Sequence, residues 1–179
     1  MKPRHFISTQ DLSSQELDGI LRRAAQLKSV RNPEPALKGK SVALVFFNPS
    51  LRTRSSMQTA VFALGGQAVS LEAGRDTWPM EWAEGVVMDG DAVEHVKDAV
   101  KVLSRYFQAI GVRAFPDGKN WNEDRLDPVI NAFTRYSDVP VVNLESALYH
   151  PCQSMADLLT LKEKVGPDLK RKKITLTWA

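Results

Sequence analysis

Apolar and polar positions along the chain alternate between two periods. Leu17, Ile20, Leu21, Ala24 and Leu27 recur at helical spacing, and Ser13 followed three residues later by Glu16 reads as a capping box. After the Pro/Gly-bearing stretch 32–40 comes the continuous run Ser41 to Phe47, which suits a strand buried on both faces. Asn48-Pro49-Ser50 turns the chain, and Thr53 to Leu64 reads as a helix stopped by Gly65-Gly66. Ala68 to Leu71 is a second short strand, followed by a long loop from Glu72 to Gly90 that carries Trp78, Pro79 and Trp82.

The same alternation continues to the end. Val93, Val96, Val100 and Leu103 predict an amphipathic helix, and Ala109 to Arg113 a strand. A helix is expected over Asp127 to Tyr136 and a strand over Val139 to Val142, where Pro140 suggests an edge or an early strand position. Met155 to Val165 reads as helical and Lys173 to Trp178 as one more strand. Strands alternating with helices predict an α/β fold, a parallel sheet flanked by helices. The last predicted strand has no helix after it to cover it, so the sequence reads as the front part of a longer protein. The alternative is that this strand closes the edge of the only sheet.

Composition changes little in this picture. Of 179 residues, 43% are hydrophobic and 25% charged, as in an ordinary globular chain with a sizeable core. The single cysteine, Cys152, excludes an intrachain disulfide and fits a reducing cytoplasm. No apolar run approaches a membrane span, and Met1 to Leu12 lacks a secretory pattern, so a cytoplasmic protein is expected. The net charge is only +3, and a basic tract, Lys170 to Lys173, carries much of the excess. A nucleic-acid binder spreads basic residues along a face with aromatic residues among them, so this tract reads as a solvated loop.

Ligands of parallel sheets gather beyond the carboxyl ends of the strands, and three segments place polar residues there. The first is Phe47 to Ser56, between the best strand and a helix. Its helix N-terminus offers N–H groups and partial positive charge, and Arg52 and Arg54 with Ser50, Thr53, Ser55 and Ser56 complete a cradle for phosphate or carboxylate. The Gly-rich stretch and Lys-Ser/Thr pair of a nucleotide P-loop are missing. Helix capping plus surface arginines is the competing reading of the same residues. The second segment is Arg113, a charge ending an apolar strand, which must be ion-paired or face a cleft. The third runs from Asn143-Leu144-Glu145 to His150-Pro151-Cys152-Gln153, where His150 and Gln153 are placed to address one ligand or simply to support the turn. Cys152 reads as a small buried filler, since no activating base stands beside it.

Metal chemistry is not indicated. His5, His95 and His150 are far apart and no paired cysteine exists. Glu84, Asp89, Asp91, Glu94 and Asp98 read as loop decoration that favours the start of the next helix.

Taken together, Ser50-Leu51-Arg52-Thr53-Arg54, then Arg113, then His150-Pro151-Cys152-Gln153 resemble the carbamoyl-phosphate motifs of the transcarbamylase family. Phe46 to Ser50, Asp76 to Pro79 and Met88 to Asp91 are similar to its N-acetylornithine branch. The resemblance covers essentially the whole chain. It implies that Ser50, Leu51, Arg52 and Thr53 hold the phosphate of carbamoyl phosphate, that Arg113 and His150 meet the carbonyl oxygen, and that Gln153 meets the amino group. Arg52, Arg113 and His150 are then the catalytic residues, with no metal, other cofactor or covalent intermediate. Trp78 resembles the residue that reaches into a neighbouring subunit's site, which implies a homotrimer. Glu145 matches the position that contacts the acyl-ornithine substrate. Val93 stands where the N-acetylornithine branch carries a Glu, and a small apolar residue there is similar to the N-succinylornithine variant, so the acyl group stays open between the two.

The resemblance also implies a division of the chain. Residues 1–152 match the carbamoyl-phosphate-binding domain, and residues 153–179 supply an inter-domain helix and the first strand of a second domain that is otherwise absent. The expected activity is transfer of the carbamoyl group to the side-chain amine of N-acetylornithine or N-succinylornithine in arginine biosynthesis, with little turnover by these 179 residues alone. Ornithine or aspartate carbamoyltransferase, a non-catalytic anion-binding module and, more remotely, a nucleic-acid-binding domain using Lys170 to Lys173 are the alternatives.

Overall fold

The computed structural model describes residues 2–31 and 33–177. In chain order the elements are α1 (Ser14–Ser29), β1 (Ser41–Phe46), α2 (Arg52–Ala63), β2 (Gln67–Glu72), β3 (Met80–Glu81), β4 (Glu94–His95), α3 (Val96–Tyr106), β5 (Ala109–Arg113), α4 (Trp121–Asp124), α5 (Pro128–Tyr136), β6 (Val141–Glu145) and α6 (Pro151–Val165), preceded by a 3-10 turn at Thr9–Asp11. The α/β expectation holds. Four parallel strands form the main sheet in the order β2–β1–β5–β6, and β3 and β4 make a separate two-residue pair.

The apolar run of β1 is buried on both faces because the sheet is covered on both. Val42, Leu44 and Phe46 pack with Val61 of α2 and Leu144 of β6. Ala43 and Val45 point the other way, into a larger core with Val96, Val100, Ile110, Val112, Ile130 and Phe133 from α3, β5 and α5. Gly111 belongs between these strands for a steric reason. A Cβ there would lie 3.0 Å from Leu144 Cδ1 and 3.1 Å from Leu44 Cδ2, closer than packed methyl groups tolerate.

The chain passes from β1 outward to β2 and then returns across β1 to β5, so the sheet order reverses between β1 and β5. A crevice opens at that switch point, beyond the carboxyl ends of the strands.

Local chemistry explains most element ends. Ser13 Oγ accepts from Glu16 N at 3.3 Å while Glu16 Oε2 accepts from Ser13 N at 2.9 Å, the expected capping box. Helix α6 begins at Pro151, four positions before Met155, because His150 caps it and proline's fixed φ suits the first turn. Consequently the 152/153 boundary falls inside one continuous helix.

Other expectations need correction. Val93 does not start a helix. His95 caps α3 through Lys97 N at 3.0 Å, and pairing of Glu94–His95 with Met80–Glu81 holds the preceding residues extended. That same pairing gives the long loop after β2 a short strand of its own. The strand expected over 139–142 is shifted to Val141–Glu145, with Pro140 just outside it. No strand forms over Lys173–Thr177, which are exposed and have no strand beside them; Trp178 lies outside the described residues. The tract Lys170 to Lys173 sits in an exposed turn. Among the described residues no helix is long and apolar enough to cross a membrane.

Candidate active site

Three segments meet at the switch point and line a cleft of about 680 Å³. Pro49 to Thr53 with Ser56 and Met57 come from the β1–α2 turn, Arg113 from the end of β5, and Leu144, Glu145, His150, Cys152, Gln153 and Ala156 from the β6–α6 passage. Ser50, Leu51, Arg52, Thr53, Arg113, Glu145, His150 and Gln153 are thus brought together. Trp78 and Val93 are not part of this lining and are both 65% exposed.

The first segment presents the start of α2 to the cleft. Ser50 Oγ accepts from Thr53 N at 3.2 Å, so its hydroxyl does cap the helix. The N–H groups of Arg52 and Arg54, at the first turn, have no acceptor within the helix and point outward. Arg52 is exposed and forms no ion pair with any described residue, leaving a cation at a positive helix end. Arg54 is different. It turns away from the cleft, pairs with Glu72 and lies over the Phe46 ring at 4.9 Å, so it does not belong to the cradle. Ser56 is also committed, donating to Thr53 O at 3.2 Å. Ser55 is absent from the lining.

Arg113 answers both sequence readings at once, being ion-paired and facing the cleft. Its guanidinium pairs with Glu145, Nη1 also donates to Thr53 Oγ1 at 3.3 Å, and its plane lies 4.4 Å from the Phe115 ring centroid. Only 11% of its side chain is exposed, and Nε finds no hydrogen-bond acceptor among the described residues.

His150 approaches the same Glu145 carboxylate. Its Nδ1 accepts from Gln153 N at 3.4 Å, which places the ring hydrogen on Nε2, and Nε2 lies 3.5 Å from Glu145 Oε2. Burial pushes the imidazole below its usual range and nearby Arg113 adds to that, while Glu145 and Asp157 pull the other way. The 3.5 Å approach to a carboxylate favours a charged ring, yet burial outweighs it and favours the neutral N–H form. Cys152 is pushed up by burial, as befits a filler rather than a nucleophile.

Some contributors carry no motif. Asp127, buried at a left-handed φ of 45°, accepts from Ser146 Oγ at 2.8 Å and Ala147 N at 2.9 Å. Ser146 Oγ in turn accepts from the fully buried Asn143 at 2.9 Å. This network ties the passage carrying Glu145 and His150 to the start of α5. No cluster of three or more metal-ligating side chains occurs among the described residues.

A parallel α/β sheet with an open cation and a helix N-terminus at its switch point has the architecture of an anion-binding domain. The chain belongs to the aspartate/ornithine carbamoyltransferase family, with residues 4–163 matching its carbamoyl-P binding domain. It is 52% identical to N-acetylornithine carbamoyltransferase of Xanthomonas campestris pv. campestris over 99% of its own length and 52% of that protein. It is 37% identical to N-succinylornithine carbamoyltransferase of Bacteroides fragilis, over 98% and 54% respectively. Among solved structures it resembles acetylornithine transcarbamylase complexed with acetylcitrulline, with 51% identity, a TM-score of 0.91, and coverage of 94% of this chain and 50% of that one. A glutamate-to-valine variant of N-acetyl-L-ornithine transcarbamylase, complexed with carbamyl phosphate and N-succinyl-L-norvaline, matches at 52% identity with a TM-score of 0.89 over 93% and 50%. The chain spans about half the length of the curated relatives it matches.

Proposed function

We propose that this chain is the carbamoyl-phosphate-binding part, residues 1–152 with a following linker, of a carbamoyltransferase acting on the side-chain amine of an acylated ornithine in arginine biosynthesis. One observation carries the reading: Arg52 at the start of α2, with no ion-pair partner among the described residues, lines the same cleft as the donors Arg113 and His150. Phosphate takes the first position, held by Arg52, the helix N–H groups and the Ser50 and Thr53 hydroxyls beside Leu51. The carbonyl oxygen takes the second, and the amino group meets Gln153.

The chemistry then needs only positioning and charge stabilisation. The free amine attacks the carbonyl carbon, a C–N bond forms, and negative charge grows on the oxygen. The bond between the carbonyl carbon and the bridging oxygen then breaks, its electron pair leaves with phosphate, and the departing phosphate takes the proton that the amine gives up. Donors aimed at that oxygen act more strongly in the transition state than in the ground state. A neutral His150 suits this role because it donates an N–H without presenting a full charge to the incoming amine. Arg52 offsets the charge gained by phosphate.

The exposed Trp78 supports a trimer in which it reaches a neighbouring site, and residues beyond this chain supply the ornithine-binding half; a cytoplasmic setting follows from that metabolism. The acyl group is best read as succinyl. Val93 is exposed and uncharged, so it offers no repulsion to a second carboxylate. The glutamate-to-valine variant complexed with N-succinyl-L-norvaline supports the same choice.

Calorimetric titration of the chain with carbamoyl phosphate tests the first half: one-to-one binding is expected, weakened by about 10- to 100-fold in Arg52→Ala. No binding by the wild-type chain overturns it. The longer protein from its source cells should carbamoylate N-succinylornithine faster than N-acetylornithine, and Val93→Glu should reverse that order.

A further inference from the structure

Glu145 reaches Arg113 because of an irregularity in the sheet. Pairing of β5 with β6 runs Ile110–Val141, Gly111–Val142 and Val112–Asn143, then jumps to Arg113–Glu145 and leaves Leu144 as an extra residue. Such a bulge re-aims the side chains beside it. In a regular ladder Arg113 would stand opposite Leu144; here it stands opposite a carboxylate.

A single oxygen of that carboxylate then lies between both donors of the site, bonded to one and approached by the other. Glu145 Oε2 accepts from Arg113 Nη1 and lies 3.5 Å from His150 Nε2, the nitrogen that carries the ring hydrogen. Arg113 and His150 are the same two groups that the proposed reaction aims at a carbonyl oxygen.

We propose that Glu145 Oε2 holds the place that the substrate carbonyl oxygen takes, and that carbamoyl phosphate binds by displacing this carboxylate from Arg113 and His150. The inference rests on the carbamoyl-phosphate reading above. Its physical basis is the depth of Arg113. A guanidinium with 11% of its side chain exposed is costly to leave unpaired, and Glu145 offsets that cost before any ligand arrives. The carboxylate also keeps guanidinium and imidazole aimed at one point, so the donors need little reorganisation when the carbonyl replaces it. The consequence is a penalty on affinity, since only the fraction of molecules with Glu145 displaced is competent to bind. Inorganic phosphate has no carbonyl group. It needs the start of α2 alone and escapes the penalty.

Titration calorimetry of wild-type and Glu145→Gln chains with two probes separates the possibilities. Phosphonoacetamide places phosphonate, carbonyl and amide groups as carbamoyl phosphate does, and inorganic phosphate is the second probe. Replacing a charge-assisted bond by a neutral one should tighten phosphonoacetamide by about tenfold. Phosphate should tighten by at most about threefold, the general effect of removing one screened negative charge. Equal gains for both probes, or none for phosphonoacetamide, would overturn the placeholder. If the variant does not fold, a crystal structure of the wild-type chain with phosphonoacetamide decides: Glu145 is expected to have left Arg113, and a retained contact overturns the inference. Binding of neither probe by the wild-type chain would instead sink the carbamoyl-phosphate reading itself.

Discussion

Gln153 donates its side-chain amide to Asp157 Oδ1 at 2.8 Å, one helical turn further along α6. A carboxylate can only accept, so the amide nitrogen is the end held there and the oxygen is the end left for a ligand. That orientation suits an amino group on the ligand and disfavours an oxygen. Because the pair is exposed, its contribution is modest. In Asp157→Asn, selectivity for phosphonoacetamide over phosphonoacetate should fall by about twofold, since exposed pairs at this spacing contribute a few tenths of a kcal/mol each. Competition titration reads the ratio directly.

Arg52 and Arg54 are two residues apart in sequence and do opposite work. Arg52→Ala should weaken carbamoyl phosphate by about 10- to 100-fold, the range for charge-assisted hydrogen bonds, while shifting unfolding free energy by less than about 0.5 kcal/mol. Arg54→Ala should leave binding within about threefold and cost about 1–2 kcal/mol of stability, after screening, through loss of Glu72 and the Phe46 contact. Urea unfolding and calorimetry on both variants check the contrast.

His150 should titrate below 6.5, because burial and Arg113 both disfavour its charged form. Glu145 opposes them, so Glu145→Gln should lower the value further. A depressed histidine stabilises the fold above its unfolded-state value, and this contribution is lost as pH falls through the folded-state value. Long-range proton–nitrogen NMR titration of the ring reports the value and the Nε2–H tautomer together; a wild-type value at or above 6.5 would contradict the burial account, and a rise in Glu145→Gln the opposing effect of Glu145.

Glu16 is held down to about 2, first by its bond with Arg4 and then by Ser13 at the cap of α1. A depressed carboxyl contributes stability that is complete above its ordinary value of 4.5 and fades as pH falls toward about 2. Helix α1 should therefore fray between those limits in the wild type. Amide exchange at Leu17 follows it, and Glu16→Gln should flatten the pH dependence.

Asp127 holds the left-handed turn before α5 and accepts from Ser146 and Ala147. Asp127→Ala leaves those donors unpaired and keeps an unfavourable φ, which should cost about 2–4 kcal/mol. Asp127→Asn, which retains an acceptor for Ala147, should cost about half as much. Thermal unfolding distinguishes the two.

Much of this molecule was legible before folding was considered. β1 declared itself by an uninterrupted apolar run, which only a strand covered on both faces can use. The capping box at Ser13 and Glu16, and the turns that end in Arg52–Thr53 and in His150–Gln153, are local chemistry and need no distant partner. Motif order was enough to bring Arg52, Arg113 and His150 into one expected site. Tertiary structure decided what local pattern leaves undetermined. Whether Arg54 joins the cradle depends on Glu72, a strand away, which offers it a partner and turns it aside. Val93 precedes α3 rather than opening it, because pairing between Met80–Glu81 and Glu94–His95 claims the residues before Val96. The bulge at Leu144 aligns Glu145 with Arg113 through a register that exists only between two strands. Sequence fixes which groups are present and how each segment prefers to bend; the pairing of segments far apart in the chain sets which charges meet, because a side chain's partner is chosen by distance in space.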